Sequence, residues 1–162
     1  MCGIFGFVSK EKVKAIPIVL DGLKRLEYRG YDSSGIVLTE GSDLYWKKSS
    51  GRISELEKKL TYEKEATVAI SQTRWATHGA PTNKNAHPHF DCKKNIFLVH
   101  NGIIENYKEL KAGLVKNGHN FSSDTDTEVL AHMIEDYMEK RNTFEEAVRL
   151  TIRSVVGTYA LA

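Results

Sequence analysis

The sequence predicts an α+β fold in which antiparallel sheets lie under outer helices. Three observations carry that expectation: apolar runs at strand spacing joined by short turns, apolar residues at helical spacing between and after them, and no repeat or low-complexity linker in 162 residues. Residues 4–9 read as a short buried strand. Ile16, Val19, Leu20, Leu23 and Leu26 recur at helical spacing, with Pro17 tolerated in the first turn, and this helix is expected to end near Tyr28, ahead of Gly30. Residues 34–39 and 43–49 read as strands joined by a turn at Glu40-Gly41-Ser42-Asp43. A short helix follows, with Ile53, Leu56 and Leu60 on one face, and residues 66–72 form the next strand. Two of the three prolines and many small polar residues mark 79–95 as a long loop. A strand over 95–100 is expected to turn sharply at Asn101-Gly102. A helix from about Asn106 ends at Asn117-Gly118. Thr125-x-x-Glu128 and Thr143-x-x-Glu146 both read as capping boxes opening apolar-periodic helices. The count is about five strands and five helices.

Bulk properties narrow the function classes. The length fits one domain spanning residues 1–162, able to bury roughly 70% of its unfolded surface. Hydrophobic content of 41% with 27% charged residues is that of a soluble globular chain, and the formal charge of +2 comes from mixed signs. Neither a nucleic acid nor a membrane is expected as partner. No apolar run approaches the roughly 18–20 residues needed to span a bilayer, and no signal peptide is read at the N-terminus. Cys2 and Cys92 are the only cysteines, which argues against a disulfide framework and for a cytoplasmic location. Cys92, in the polar run Asp91-Cys92-Lys93-Lys94-Asn95, reads as an exposed bystander. The sequence stops at Thr158-Tyr159-Ala160-Leu161-Ala162, an apolar, β-prone stretch that reads as an interrupted core strand, so a fragment of a longer protein is expected.

Chemistry enters at residue two. Initiator methionine is usually trimmed before a small residue, which leaves Cys2 with a thiol and a free α-amino group. An α-amino group has a pKa of about 7.7–8.0 and a free thiol one of about 8.5. A nucleophile and a partly unprotonated base then share one residue. Four loop segments add polar residues at the ends of elements: Leu26 to Ser34, Thr73 to Gly79, His100 to Asn106 and Ser123 to Glu128. Each has a structural explanation as well. Asn101-Gly102 can be a tight turn, Asp126 can favour a helix N-terminus, and Arg74 with Trp75 can be a stacked surface pair. Among His78, His87, His89 and His100, only His87-x-His89 has useful local spacing, and no Cys or carboxylate accompanies it. No metal is expected.

In combination and in order, Cys2-Gly3-Ile4-Phe5-Gly6, Arg29-Gly30-Tyr31-Asp32-Ser33, Thr73-Arg74-Trp75-Ala76-Thr77-His78-Gly79, Asn85-Ala86-His87-Pro88-His89, His100-Asn101-Gly102-Ile103-Ile104-Glu105-Asn106 and Asp124 to Glu128 resemble the glutaminase domain of class II glutamine amidotransferases. These are N-terminal-nucleophile hydrolases, and the glucosamine-6-phosphate synthase branch is the most similar. The resemblance covers essentially the whole chain. It implies a four-layer αββα sandwich, truncated here at its C-terminal end, and hydrolysis of the L-glutamine side-chain amide to glutamate and ammonia. The implied roles are Cys2 as nucleophile with its own amine as base, Asn101 and Gly102 as oxyanion donors, and Arg29 and Gly30 beside the amino terminus. For the substrate they are Arg74 on the α-carboxylate, Asp126 on the α-ammonium, Thr77 and His78 as supporting hydrogen bonders, and Trp75 as a lid. The resemblance also implies no cofactor, synthase (isomerase) domains on the same polypeptide that aminate fructose 6-phosphate, and a homodimeric parent.

Overall fold

A computed structural model describes residues 2–41 and 43–162. The chain runs β1 (Gly3–Lys14), α1 (Ala15–Leu26), a 3-10 turn (Glu27–Arg29), β2 (Ser33–Glu40), β3 (Asp43–Ser50), α2 (Ile53–Glu57) and β4 (Glu65–Arg74). It continues through β5 (His89–Phe90), β6 (Phe97–Leu98), β7 (His100–Ile104), α3 (Tyr107–Lys116), α4 (Glu128–Glu139), α5 (Phe144–Ser154) and β8 (Gly157–Leu161).

The first sheet is antiparallel, in the order β1-β4-β2-β3. Alternation along its strands sends Phe5, Phe7, Ile36, Leu38 and Ala69 to one face, where they pack on Ile16, Val19, Leu20 and Leu23 of α1 and Ile53 and Leu56 of α2. The second β layer consists of two two-stranded ladders, β5-β6 and β7-β8. Its apolar residues Leu98 and Ile104 pack with Leu114 of α3, Val129, Leu130, Met133 and Ile134 of α4, and Ala147 of α5. Helix, sheet, sheet, helix is thus the layer order. Each fully buried Leu or Ile in these two clusters contributes roughly 1.5–3 kcal/mol. The contact between the β layers combines a polar pair, Gln72 on β4 donating through Nε2 to Asn101 Oδ1 on β7 at 3.1 Å, with an aromatic one, Trp46 on β3 against Phe90 and Phe97 at centroid distances of 5.4 and 6.3 Å.

Several expectations hold in detail. Pro17 sits in the first turn of α1, α3 ends at Asn117 with Gly118 at φ +94°, and Thr143 and Glu146 form a reciprocal capping box on α5. Gly41, at φ +59°, turns β2 into β3; Ser42 of that expected turn lies outside the described residues.

Others are corrected. β1 runs to Lys14, with a register shift between Val8 and Val13, and Val8 is 81% exposed. It is an edge strand with alternating burial, so it is not a fully buried one. Asn101 and Gly102 lie inside β7, paired with Ala160 and Tyr159, and do not form a tight turn. Gly102 is required for a different reason. Its φ is +131°, and a Cβ there would stand 1.9 Å from the Thr158 carbonyl oxygen. The final stretch does form β8, but all five residues are exposed, so it is no core strand. Eight strands are formed among the described residues: the strand expected over 95–100 is divided into the short β6 and the separate β7, which runs on to Ile104, and β5 is a two-residue pairing without a sequence signature.

The Thr125-Glu128 capping box is also replaced. Thr127 precedes α4 with no side-chain cap, and the Thr125 hydroxyl meets His89 Nε2 at 3.1 Å. Glu128 instead accepts from the N–H and Oγ of Ser122 (2.8 and 2.7 Å) and of Ser123 (2.7 and 2.6 Å). Burial pushes its pKa up, but the neighbouring His132 and hydrogen bonds from Ser123 and Ser122 outweigh that and hold it at about 2, against an ordinary 4.5. A folded-state pKa below the unfolded one means stability that is present above about pH 4.5 and lost as pH falls toward 2. Glu128→Gln is therefore expected to cost about 3 kcal/mol at pH 7 and much less at pH 2.5. Denaturant unfolding of both proteins at the two pH values checks this, and an equal cost at both would remove the ionised carboxylate from the account.

Candidate active site

Cys2 stands immediately before β1, whose first residue pairs with Thr73 near the end of β4. That pairing brings the thiol to the exit of β4. The Trp75 backbone N–H points at Cys2 Sγ at 3.3 Å, and Sγ lies 3.6 Å from the Trp75 carbonyl oxygen. The carbonyl of Cys2 accepts from Arg29 Nε and from Asn101 Nδ2, each at 3.2 Å. Gly30 is needed here for close approach, since a Cβ would lie 2.8 Å from the Trp75 nitrogen and the Arg74 carbonyl carbon. Because Gln72 donates to Asn101 Oδ1, the amide nitrogen of Asn101 is the end that faces Cys2. Gln72 also donates to the His100 carbonyl and is fully buried.

Arg74 is 4% exposed, so it is no surface partner stacked on Trp75. Its Nη2 donates to the carbonyls of His78 and Gly79, the latter at 3.0 Å, and Nη1 to that of Ala80 at 3.4 Å. Burial lowers its pKa, and the charges of Cys2, Asp126 and Asp32 act the other way. Asp126 is equally buried. Its carboxylate accepts from the Ile104 N–H at 2.8 Å, which ties it to β7 and does not leave it as a cap on α4. Trp75 is 45% exposed, edge-on to Tyr31 with centroids 5.6 Å apart. The ring of His78 is edge-on to Tyr107 at 5.4 Å, and its Nδ1 is buried with no hydrogen-bond partner among the described residues. Thr77 is exposed between them.

Of the ten expected site residues, Cys2, Arg29, Asn101 and Trp75 meet directly, and Gly30 closes on the backbone of Arg74 and Trp75. Arg74 and Asp126 sense each other's charge, Gly102 follows Asn101 in β7, and His78 and Thr77 occupy the loop that Arg74 holds. Two contributors have no expected role. Gln72 orients Asn101, and its only signal in the sequence is a polar residue at an inward position of a strand. Asp32 accepts from the Ala76 N–H at 2.9 Å, while its own N–H donates to the Arg74 carbonyl at 3.0 Å, fixing the loop after β4. A cleft of about 610 Å³ is lined by Trp46, Lys48, Lys84 and Phe90 and includes none of these residues.

His87, His89 and His100 each meet a threonine hydroxyl. His100 Nδ1 meets Thr127 Oγ1 at 2.8 Å, and His87 Nδ1 accepts from the His100 N–H at 3.1 Å. Burial first, then neighbouring positive charge, pushes His87 and His89 well below the ordinary value, so both are neutral. Cys92 is not a bystander, since its Sγ lies 3.5 Å from His132 Nδ1 and 3.7 Å from His119 Nδ1.

Residues 57–160 match a family described as "Glutamine amidotransferase domain". The chain belongs to that family. This amidotransferase domain is 51% identical over 162 residues to a Pyrococcus horikoshii protein named glutamine–fructose-6-phosphate aminotransferase (isomerizing), covering 99% of the chain and 27% of the relative. A Bacteroides thetaiotaomicron protein of the same name is 49% identical over 166 residues, covering 100% of the chain and 26% of the relative. The chain therefore spans about a quarter of the length of the curated relatives it matches. Among solved structures, the glutamine phosphoribosylpyrophosphate amidotransferase of B. subtilis superposes with a TM-score of 0.81 at 32% identity, covering 99% of the chain and 34% of that protein. The amidotransferase domain thus has the N-terminal-nucleophile hydrolase fold, and it is an enzyme domain.

Proposed function

We propose that this domain hydrolyses the side-chain amide of L-glutamine through a Cys2 thioester and passes the ammonia to a sugar-phosphate site on further domains of the same polypeptide. The observation that carries the reading is the treatment of Cys2: its carbonyl is clasped by Arg29 and Asn101 while a backbone N–H addresses its sulfur. With Met1 removed (it lies outside the described residues), the α-amine of Cys2 takes the thiol proton, directly or through water, as sulfur attacks the amide carbon. The tetrahedral oxyanion is received by Asn101 Nδ2 and the Gly102 N–H. The amine then returns its proton to nitrogen, the C–N bond breaks, and ammonia leaves a thioester that water cleaves to glutamate. Arg74 offers a planar two-donor fork to the α-carboxylate, Asp126 the anion for the α-ammonium, and His78 an unused buried nitrogen. Thr77 adds a neutral hydroxyl for the substrate, and Trp75, whose backbone N–H faces the Cys2 sulfur, serves as a cover over the reacting atoms, where excluding water protects the thioester.

Fructose 6-phosphate is the acceptor we favour, since relatives at about half identity carry that name while the phosphoribosylpyrophosphate enzyme stands at 32%. Glucosamine 6-phosphate formation by the whole polypeptide checks the acceptor. A cytoplasmic homodimer is part of the same reading; no helix among the described residues is long and apolar enough to cross a membrane.

Alkylation tests the site itself. An electrophilic glutamine analogue is expected to label Cys2, to spare Cys92, and to be blocked by glutamine. Equal labelling of both thiols, or of Cys92 alone, overturns the assignment. Asp126→Asn keeps an acceptor for the Ile104 N–H but removes the charge. It is expected to raise KM for glutamine roughly 10–100-fold, with kcat changed less than about threefold. An unchanged KM would remove Asp126 from substrate binding.

A further inference from the structure

Outside the Cys2 site, four side chains from three separate segments converge on one point. Cys92 lies on the turn between β5 and β6, His119 on the link after α3, and His132 and Glu135 one turn apart on α4. Their ligand atoms all lie within 4.8 Å of one another. Cys92 Sγ is 3.7 Å from His119 Nδ1 and 3.5 Å from His132 Nδ1, and Glu135 Oε2 is 2.9 and 3.3 Å from the same two nitrogens. A tetrahedral zinc ion with its usual bond lengths spaces sulfur from nitrogen by roughly 3.6 Å and oxygen from nitrogen by roughly 3.3 Å. The two sulfur–nitrogen and two oxygen–nitrogen distances lie within about 0.4 Å of those separations.

Orientation supports the same conclusion independently. Both imidazoles turn Nδ1 inward and Nε2 toward a carboxylate: His132 Nε2 is 3.7 Å from Glu128 Oε1, and His119 Nε2 is 3.6 Å from Asp136 Oδ1. With a metal on Nδ1, each ring would carry its proton on Nε2, facing that carboxylate. As the rings stand, His132 Nε2 is buried without a hydrogen-bond partner among the described residues, and one carboxylate oxygen of Glu135 serves both rings and the Cys92 N–H at 3.2 Å. The two histidines and Glu135 are buried and Cys92 is exposed, so the cluster is closed on the protein side and open at the thiol. Sulfur, nitrogen and oxygen in a closed four-ligand set suit zinc over magnesium or calcium.

We propose that Cys92 Sγ, His119 Nδ1, His132 Nδ1 and Glu135 Oε2 form a structural zinc(II) site that clamps the β5–β6 turn to α4. Binding releases the thiol proton to solvent. The expectation of no metal rested on His87 and His89; the convergent set lies elsewhere, on residues up to 43 positions apart. The clamp is chemically separate from the proposed glutaminase site, and its test does not require turnover.

The chain is prepared with Cys2→Ala, so that Cys92 is its only thiol, and stripped with a chelator. Cobalt(II) is expected to bind one to one with intense tetrahedral d–d bands and a sulfur-to-cobalt charge-transfer band, all bleached by zinc. A hundredfold excess of zinc over Kd is expected to raise Tm by about 5–10 °C. Cys92→Ser and His132→Gln should lose both effects. Should those variants fail to fold, alkylation of Cys92 by iodoacetamide in the parent chain serves instead, slowed at least about tenfold by zinc. Octahedral or absent cobalt bands, signals that survive Cys92→Ser, or alkylation at one rate with and without zinc would each show that the cluster is only a hydrogen-bond network.

Discussion

Replacing Cys2 by alanine is expected to lower glutamine hydrolysis at least about 10⁴-fold, because in the proposed mechanism it removes the attacking sulfur while leaving the α-amine in place. Glutamine affinity should change only a few-fold, since Arg74 and Asp126 are untouched and Arg29 and Asn101 still clasp a backbone carbonyl at position 2. A variant that retains Met1, or carries an acetylated Cys2, keeps the thiol and converts the amine to an amide. It should fall nearly as far, which separates the role of the amine from that of the sulfur. Ammonia release measured in the full-length protein decides this. Turnover that survives capping of the amine would end the proposed mechanism even if Cys2→Ala is inactive.

The second large effect is expected of Gly102→Ala, a change of one methyl group. The new Cβ would meet the Thr158 carbonyl oxygen at 1.9 Å, its carbon at 2.8 Å and Tyr159 Cα at 3.0 Å, at a φ of +131° that an L side chain rarely adopts. All three atoms are backbone of β8, so no side-chain rotation relieves the clash and the β7-β8 ladder must shift. Backbone strain of this kind costs about 1–3 kcal/mol, which corresponds to a fall in Tm of roughly 2–12 °C. Because Asn101 precedes Gly102 in the same strand, the shift also moves the amide held between Gln72 and Cys2. Loss of one oxyanion donor lowers kcat by about 10²–10³-fold. Both losses are therefore expected together. A wild-type Tm with normal kcat would show that β8 does not confine this glycine.

Much of the site is legible in the sequence. Cys2, Arg29, Asn101 and Trp75 occur in runs whose order and chemistry single them out as candidates, and the fold brings them to one place. Gln72 and Asp32 carry no comparable signal, because a buried glutamine on a strand and an aspartate after a turn look the same whether they hold a loop, a neighbour or nothing. Glu128 shows the same limit from the other side. Its spacing from Thr125 spells a capping box, yet the buried Ser122 and Ser123 donors outcompete the helix terminus for its carboxylate. Asn101-Gly102 spells a hairpin turn, but pairing with β8 draws both residues into a strand.

What the sequence alone determined is local or compositional: the period of the apolar residues in α1, α4 and α5, the caps at Thr143 and Gly118, and the motif-borne chemistry around the leading cysteine. Those depend on neighbours within a few positions, where spacing is information enough. Only the tertiary structure decided that Gly102 answers to Thr158, that Gln72 turns Asn101 toward Cys2, and that Cys92 meets His119, His132 and Glu135. Such meetings join residues tens of positions apart, and their geometry is set by strand register and by how α4 packs across the second β layer, which no linear spacing encodes.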